Sequence, residues 1–380
     1  MNALSRFAFM ATVIVLPFFF IPFSSVNAGA LKGALLFIGI TISVLAYAIA
    51  RFIDGELSIP KTRINLALMF VLIATLVSTI FSPAFYKSMF GLSFEMGTFA
   101  SILVLVLVYF LGVHHVVKDR SRKIIVRGLF VSFFASFAII VASFFLSSNQ
   151  VFVNVFKGIS GGTLVGSWTE YGIFSAVIVL LSLFYSALVK NSLIKKIFYW
   201  ISIAMGLLVL ALVNIILLWV TVGVFSLIFF VYTVSLSHKP GVVEYSEKQT
   251  KLPVTAFLVV VVCILFTVGN SVVGTVVSSK LGYVSDFAQP SIASNALVYK
   301  MQSVGNPLRS ILGVGPARFT EVWMHFKPVE VNNTAYWDTA FYSGFGTIMT
   351  MLVTTGALGF ISWIFFLLIY FVTGIRVLTS

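Results

Sequence analysis

Arg309 and Arg318 bracket the stretch "RSILGVGPARF", which sets Gly313, Gly315 and Pro316 between two permanent cations. Gly-x-Gly-Pro reads as a tight turn feeding a helix that starts at Pro316, where a missing N–H costs nothing. Such a helix start points free N–H groups and the positive end of its dipole outward, a ready anion site. Arg318 would lie in its first turn, with Arg309 just upstream. A pyrophosphate or a carboxylate fits between the two guanidinium groups. Spacing alone fits equally a plainer role, in which the glycines only turn the chain and the arginines meet lipid phosphates or water. The stretch is not a nucleotide fingerprint, because no strand precedes it and Gly-x-x-Gly spacing is absent.

Three groups are candidates for acid–base work. Asp338, in "AYWDTAF", has Tyr336 and Trp337 beside it. Aromatic rings with an acid suit a sugar platform, and they suit an interfacial aromatic belt equally well. Glu170, in "GSWTEYG", opens an apolar run, so it reads either as a functional carboxylate at a membrane face or as a hydrated interfacial one. His325 follows Glu321 by one helical turn, which an exposed helix pair explains. His114 and His115 end another apolar run beside a basic stretch and read as interfacial. The single cysteine, Cys263, lies inside an apolar run and offers neither a disulfide nor a Cys-based metal site. No His-x-x-x-His pair, Gly-x-Ser-x-Gly elbow or P-loop occurs, so no metal and no cofactor is expected.

The elements that must carry these residues are apolar. The chain of 380 residues is 60% hydrophobic and 9% charged, against about 25% charged in a soluble domain. That deficit predicts an all-α polytopic membrane protein. A helix needs roughly 20 apolar residues to cross a bilayer, and about ten segments qualify or nearly so. They are Phe7–Phe23, Gly33–Ala50, Ile64–Ser82, Thr98–Val117, Leu129–Leu146, Tyr171–Leu188, Phe198–Val213, Leu217–Leu236, Val254–Val272 and Gly346–Val372. The seventh and eighth could be one long helix, but both flanks, "KNSLIKK" and "SHKPGVVEYSEKQTK", are basic. Both flanks therefore belong in the cytoplasm, which requires a hairpin near Asn214.

Alternation then puts most of the basic residues on one side: Arg6, Arg51, Lys61, Arg63, the five of "KDRSRKIIVR", Lys190, Lys195, Lys196, Lys239, Lys248, Lys251 and Arg376. This places both termini in the cytoplasm. The net charge of +13 is spread through gaps between apolar runs rather than gathered on a basic domain, so no nucleic-acid partner is expected. Arg6, the run after it and "VNA" before Gly29 also resemble a cleavable signal peptide. An uncleaved first helix is the expectation, because a second span follows almost at once. Residues 1–380 read as one membrane domain with a single large outer loop, 274–344. In that loop, "PSIASNALVYKMQ" places Ile292, Ala296 and Tyr299 on one helical face, and "PARFTEVWMHF" does the same for Phe319, Val322, Trp323 and Phe326. Both helices would lie on the bilayer surface or cap the bundle.

The order of these pieces resembles the O-antigen ligase and O-antigen polymerase superfamily of bacterial envelopes. The resemblance rests on "NPLRSILGVGPARF" in the large loop, on "TTGALGFISWIFFL" in a late span, and on "GTLVGSWTEYGIFSAV" entering the sixth. It implies a GT-C-like glycosyltransferase in the inner, cytoplasmic membrane of a bacterium, with its active face outside. Such an enzyme takes a glycan from undecaprenyl pyrophosphate and joins it to a glycan, lipid or protein acceptor, with no nucleotide sugar or metal. Arginines hold the pyrophosphate, and Gly313, Gly315, Pro316 and Phe319 match the loop motif. The family's histidine-asparagine pair after that motif is missing: "VEVNNTAYWDTAFYSGFG" has no histidine. The Ser-Arg-Gly of many relatives is missing too, and Gln289 stands where some have arginine. Asp338, Glu170 or His325 then remains as the base. Alternatively the chain is a non-catalytic relative that binds lipid-linked glycan, or a transporter or flippase of it.

Overall fold

A computed structural model describes residues 1–23, 26, 28–55, 62–91, 97–117, 119–146, 149–156, 163–188, 192–237, 254–269, 272, 290–334 and 336–379. The start of the long loop with Gln289, and the basic residues Lys61, Lys118, Lys157, Lys190, Lys239, Lys248 and Lys251, lie outside these. Among the described residues there is no strand, only an isolated bridge between Thr163 and Gly166. The helices are α1 (Asn2–Val15), α2 (Ala28–Asp54), α3 (Arg63–Ile80), α4 (Phe85–Phe90), α5 (Phe99–His115), α6 (Asp119–Leu146), α7 (Gln150–Val155), α8 (Trp168–Leu188), α9 (Leu193–Val213), α10 (Ile216–Ser237), α11 (Val254–Val268), α12 (Ile292–Ser303), α13 (Pro307–Leu312), α14 (Phe319–Phe326) and α15 (Gly346–Thr379).

Of these, 7 are long and apolar enough to cross a membrane, and Asn2–Phe18, Phe99–His115 and Val254–Val268 are shorter apolar helices. Together they coincide with the ten apolar runs of the sequence. This is the makeup of an all-α, multi-pass membrane protein. The chain divides into two compact units, one of Met1–Leu16, Gly29–Ile125 and Ala288–Ser380, the other of Pro17–Ala28 and Val126–Phe287.

In the second unit, α9 ends at Asn214, whose φ of 47° is left-handed, a conformation asparagine tolerates better than most residues. The chain reverses there. Tyr185 of α8 stacks on Tyr199 of α9, whereas Phe184 of α8 lies beside Phe229 of α10. With Gly172 close to both Val213 and Leu218, α9 runs antiparallel to α8 and α10 parallel to it. The hairpin required by the flanking charges is present. Its shared core includes Val179, Leu183, Ile203, Leu210, Trp219 and Val222. Glycine lets α8 and α9 approach closely, since a Cβ on Gly206 would lie 2.5 Å from the Val179 side chain.

In the first unit, α3 packs along α15. Phe70 meets Phe365 edge-on, and Ser78 lies by Thr354, so the two run antiparallel. Val71, Ile102 and Met351 form the core between them, joined by α5. A buried polar knot ties α1, α2 and α5 together. The Ser5 hydroxyl donates to the Ser43 carbonyl at 2.8 Å and lies 2.8 Å from Nε2 of His115. His115 is only 8% exposed, and the Ser5 hydroxyl, itself held by Ser43, gives its ring a polar partner where water would otherwise be needed.

Two expectations for the loop helices are corrected here. The second, α14, starts at Phe319 rather than Pro316. Gly315, Pro316 and Ala317 remain in a turn, with Ala317 at φ 57°. Its amphipathic face is as expected, with Phe319, Val322 and Trp323 buried against Val298, Phe341 and Val353. The first, α12, is turned by about a quarter turn from the expected face, so that of the expected residues only Tyr299 still packs against the core. Asn295, Val298 and Gln302 are buried, whereas Ile292 is 50% exposed. The reason lies in α15, whose backbone recruits Gln302.

Candidate functional site

Helix α15 is interrupted at Gly356, which sits at φ 67° and ψ −167°, backbone that glycine alone adopts readily. The break leaves carbonyl groups in the preceding turn without their usual helical donors, and in an apolar setting these need substitutes. The Gln302 amide donates to the Val353 carbonyl at 2.8 Å, and the Gly315 N–H donates to the Thr354 carbonyl at 2.8 Å. Ser78 Oγ of α3 donates to the Leu312 carbonyl at 2.6 Å and reaches Thr354 at 3.3 Å.

The turn after α13 thus docks into the break of α15. Gly313, at φ 71°, comes so near that a Cβ on it would lie 2.2 Å from the Thr354 oxygen. A Cβ on Gly356 would lie 2.4 Å from that of Ile311. Two more serines complete the junction: Ser82 Oγ donates to the Val314 carbonyl at 2.9 Å, and Ser88 Oγ donates to Ser82 Oγ at 2.8 Å. The glycine turn "GVG" and the "TTG" of the last span, far apart in sequence, are one backbone junction.

That junction positions Arg309. Asn306 caps α13 by accepting from the Arg309 N–H at 3.3 Å, with Pro307 at the first helical position. The Arg309 side chain is partly buried and has no hydrogen-bond or ion-pair partner among the described residues. It lines a pocket of about 190 Å³ with Phe81, Pro83, Asn306, Leu308, Leu312 and Gly313. A guanidinium beside Phe81, Pro83, Leu308 and Leu312 suits an anionic group carried on an apolar chain.

Arg318 is placed differently from the first-turn position expected of it. It precedes α14, and its side chain folds back. Nε donates to Glu321 Oε2 at 2.7 Å and Nη1 to the Val314 carbonyl at 3.1 Å. Glu321 also accepts from Lys87 Nζ of α4 at 2.7 Å. Partial burial alone would raise the Glu321 carboxyl, but the hydrogen bonds and charges of Lys87 and Arg318 outweigh it and hold the group below the ordinary carboxylate range. Arg318 and Arg309 flank the same turn, since the Val314 carbonyl bonded by Arg318 also accepts from Ser82, between the pocket residues Phe81 and Pro83.

Neither Asp338 nor His325 is among the residues that line the Arg309 pocket. Glu170, in the second unit, closes a capping box. Its Oε2 accepts from the Ser167 N–H at 2.8 Å, while the Glu170 N–H donates to Ser167 Oγ at 3.2 Å. His325 is exposed beside Phe326. The pair expected between His325 and Glu321 is replaced by the Lys87 and Arg318 bonds, because Glu321 projects toward α4. Asp338 is exposed in a turn, with Trp337 59% and Tyr336 42% exposed and Tyr336 tilted against Phe341. Lys327 Nζ donates to the Trp337 carbonyl, tying that turn to the end of α14. The roles of Lys87, Ser78, Ser82 and Gln302 were not visible in the sequence, and Glu321 stood out only as the helix neighbour of His325. Their decisive partners lie far away in the chain, apart from Arg318, three residues before Glu321. Compared with family models and with curated proteins, the chain matches none.

Proposed function

We propose that the protein is a membrane glycosyltransferase that takes a glycan from undecaprenyl pyrophosphate at the outer face of a bacterial inner membrane. The glycan passes to an acceptor in envelope polysaccharide synthesis. The observation that carries this reading is the junction itself. The loop segment and late-span segment on which the O-antigen ligase and polymerase resemblance rests bond to one another, and they hold an arginine with no hydrogen-bond or ion-pair partner among the described residues in a pocket lined by both polar and apolar groups. Ten spans with both termini cytoplasmic and a GT-C-like arrangement belong to the same proposal, supported by the distribution of Lys and Arg.

In the proposed step, the acceptor hydroxyl gives its proton to a carboxylate, with Asp338 the exposed candidate. Its oxygen forms a bond to the anomeric carbon. The bond from that carbon to the pyrophosphate oxygen breaks, and the lipid pyrophosphate leaves with the electron pair, stabilised by Arg309 as its charge develops. The purified protein, given a pyrophosphate-linked glycan and an acceptor, should transfer, and Arg309→Ala should lose about 100-fold in kcat/KM. Undiminished transfer by Arg309→Ala would remove the site.

A second reading is a relative that binds lipid-linked glycan without transferring it. It is favoured by the engagement of Glu170 as a cap and the exposure of Asp338 and His325 without partners among the described residues. Lipid-linked glycan copurified without transfer would select it. A transporter or flippase would instead give saturable uptake into proteoliposomes.

A further inference from the structure

Glu321 is a single carboxylate held between two cations. Its Oε1 accepts from Lys87 and its Oε2 from Arg318, each at 2.7 Å. The cluster is mostly covered, with side chains of Lys87, Arg318 and Glu321 exposed by 24%, 16% and 35%. Among the described residues it therefore carries an excess positive charge under limited solvent, which costs energy unless a further anion meets it. The ammonium and the guanidinium both keep N–H donors beyond the bonds they make. A plain structural tie between α4 and α14 needs only one cation for one carboxylate. Here the second cation is fixed as well, because Arg318 is also anchored on the Val314 carbonyl at 3.1 Å.

The place of the cluster gives this excess charge a use. Val314 lies next to Gly313, a wall of the Arg309 pocket, and Lys87 stands on the helix that follows Phe81 and Pro83, two further walls. We propose that Lys87 is an additional ligand for a phosphate-class anion at this site, and that Glu321 is a positioning residue that aims Lys87 and Arg318 at it. This rests on the donor reading above: Arg309 meets one phosphoryl group of a pyrophosphate, and the Lys87 and Arg318 pair meets the other.

The test is binding of inorganic pyrophosphate to the full chain in detergent, measured by calorimetry. Lys87→Met should weaken binding about 10-fold, or about 1.4 kcal/mol, and Lys87→Arg should restore most of it. Glu321→Gln is the sharper variant. It raises the net charge of the cluster by one, so simple attraction predicts tighter binding, whereas a positioning role predicts weaker binding. Should the Lys87→Met protein not stay monodisperse, amine-reactive labelling of Lys87 in the wild type replaces it. Pyrophosphate should slow that labelling, and an unchanged rate overturns the proposal. Binding that needs Arg309 but ignores Lys87 and Glu321 overturns it and leaves the transferase reading intact. Lys87-dependent binding in a protein that transfers no glycan upholds it and overturns the transferase. No binding by the wild type overturns it outright.

Discussion

Replacing Gly313 by alanine tests the junction where it is tightest. The residue sits at φ 71° and ψ −159°, a region that costs a side-chain-bearing residue about 1–3 kcal/mol. The new Cβ would also lie 2.2 Å from the Thr354 oxygen and 2.6 Å from the Gly356 nitrogen, both backbone atoms. Relief requires the turn to withdraw from the break in α15. That withdrawal loses the Gly315 N–H bond to Thr354 and the Ser78 bonds that straddle the two segments, each worth about 1 kcal/mol. The expected destabilisation is about 3–5 kcal/mol. Gly374→Ala is the control: nothing lies within 4 Å of its Cβ position on α15, and alanine in a helix gains about 0.5–1 kcal/mol over glycine. Thermal unfolding in detergent, followed by tryptophan fluorescence, compares the two. A Gly313→Ala protein that melts with the wild type would refute the junction.

Other consequences follow from the same contacts. Gln302→Leu leaves the Val353 carbonyl without its 2.8 Å donor and should cost about 1–3 kcal/mol, read by the same unfolding measurement. Glu170→Ala removes the reciprocal cap of α8 and should cost about 1 kcal/mol while leaving any glycan transfer unchanged; loss of transfer in a stable protein would restore Glu170 as a catalytic candidate. Glu321 is held below its ordinary value near 4.5. Its stabilisation is therefore complete above that value and is lost as pH falls through the lower folded value. Because its side chain is 35% exposed, the effect should be about 0.2–1 kcal/mol. Glu321→Gln should flatten that part of a stability–pH profile, and an unaltered profile would contradict the assignment.

The apolar runs were legible because hydropathy over some twenty residues reports a helix in a bilayer regardless of its neighbours. The reversal at Asn214 was legible from flanking charge, and the buried face of α14 from its 3.6-residue periodicity. What failed to show was everything decided by a distant partner. The face of α12 that is buried holds Asn295 and Gln302, and periodicity of apolar residues points away from it. The break at Gly356 explains why the Gln302 amide belongs inside. The glycines of "GVG" were recognisable as a turn, but the helix start moved to Phe319 and the turn proved to be the docking piece for another helix. Glu321 was visible only as a helix-pair acid, and nothing near Lys87 pointed to it. Nothing local joins residues 234 positions apart.

Arg309, in its pocket beside the glycine junction, is the residue on which the proposed transfer depends. Purified protein reconstituted with a polyprenyl-pyrophosphate-linked glycan and a candidate acceptor, assayed as wild type and as Arg309→Ala, tests it most directly. The wild type should release lipid pyrophosphate and form the glycosylated acceptor, with kcat/KM falling about 100-fold in the variant. Equal transfer by both proteins would contradict it.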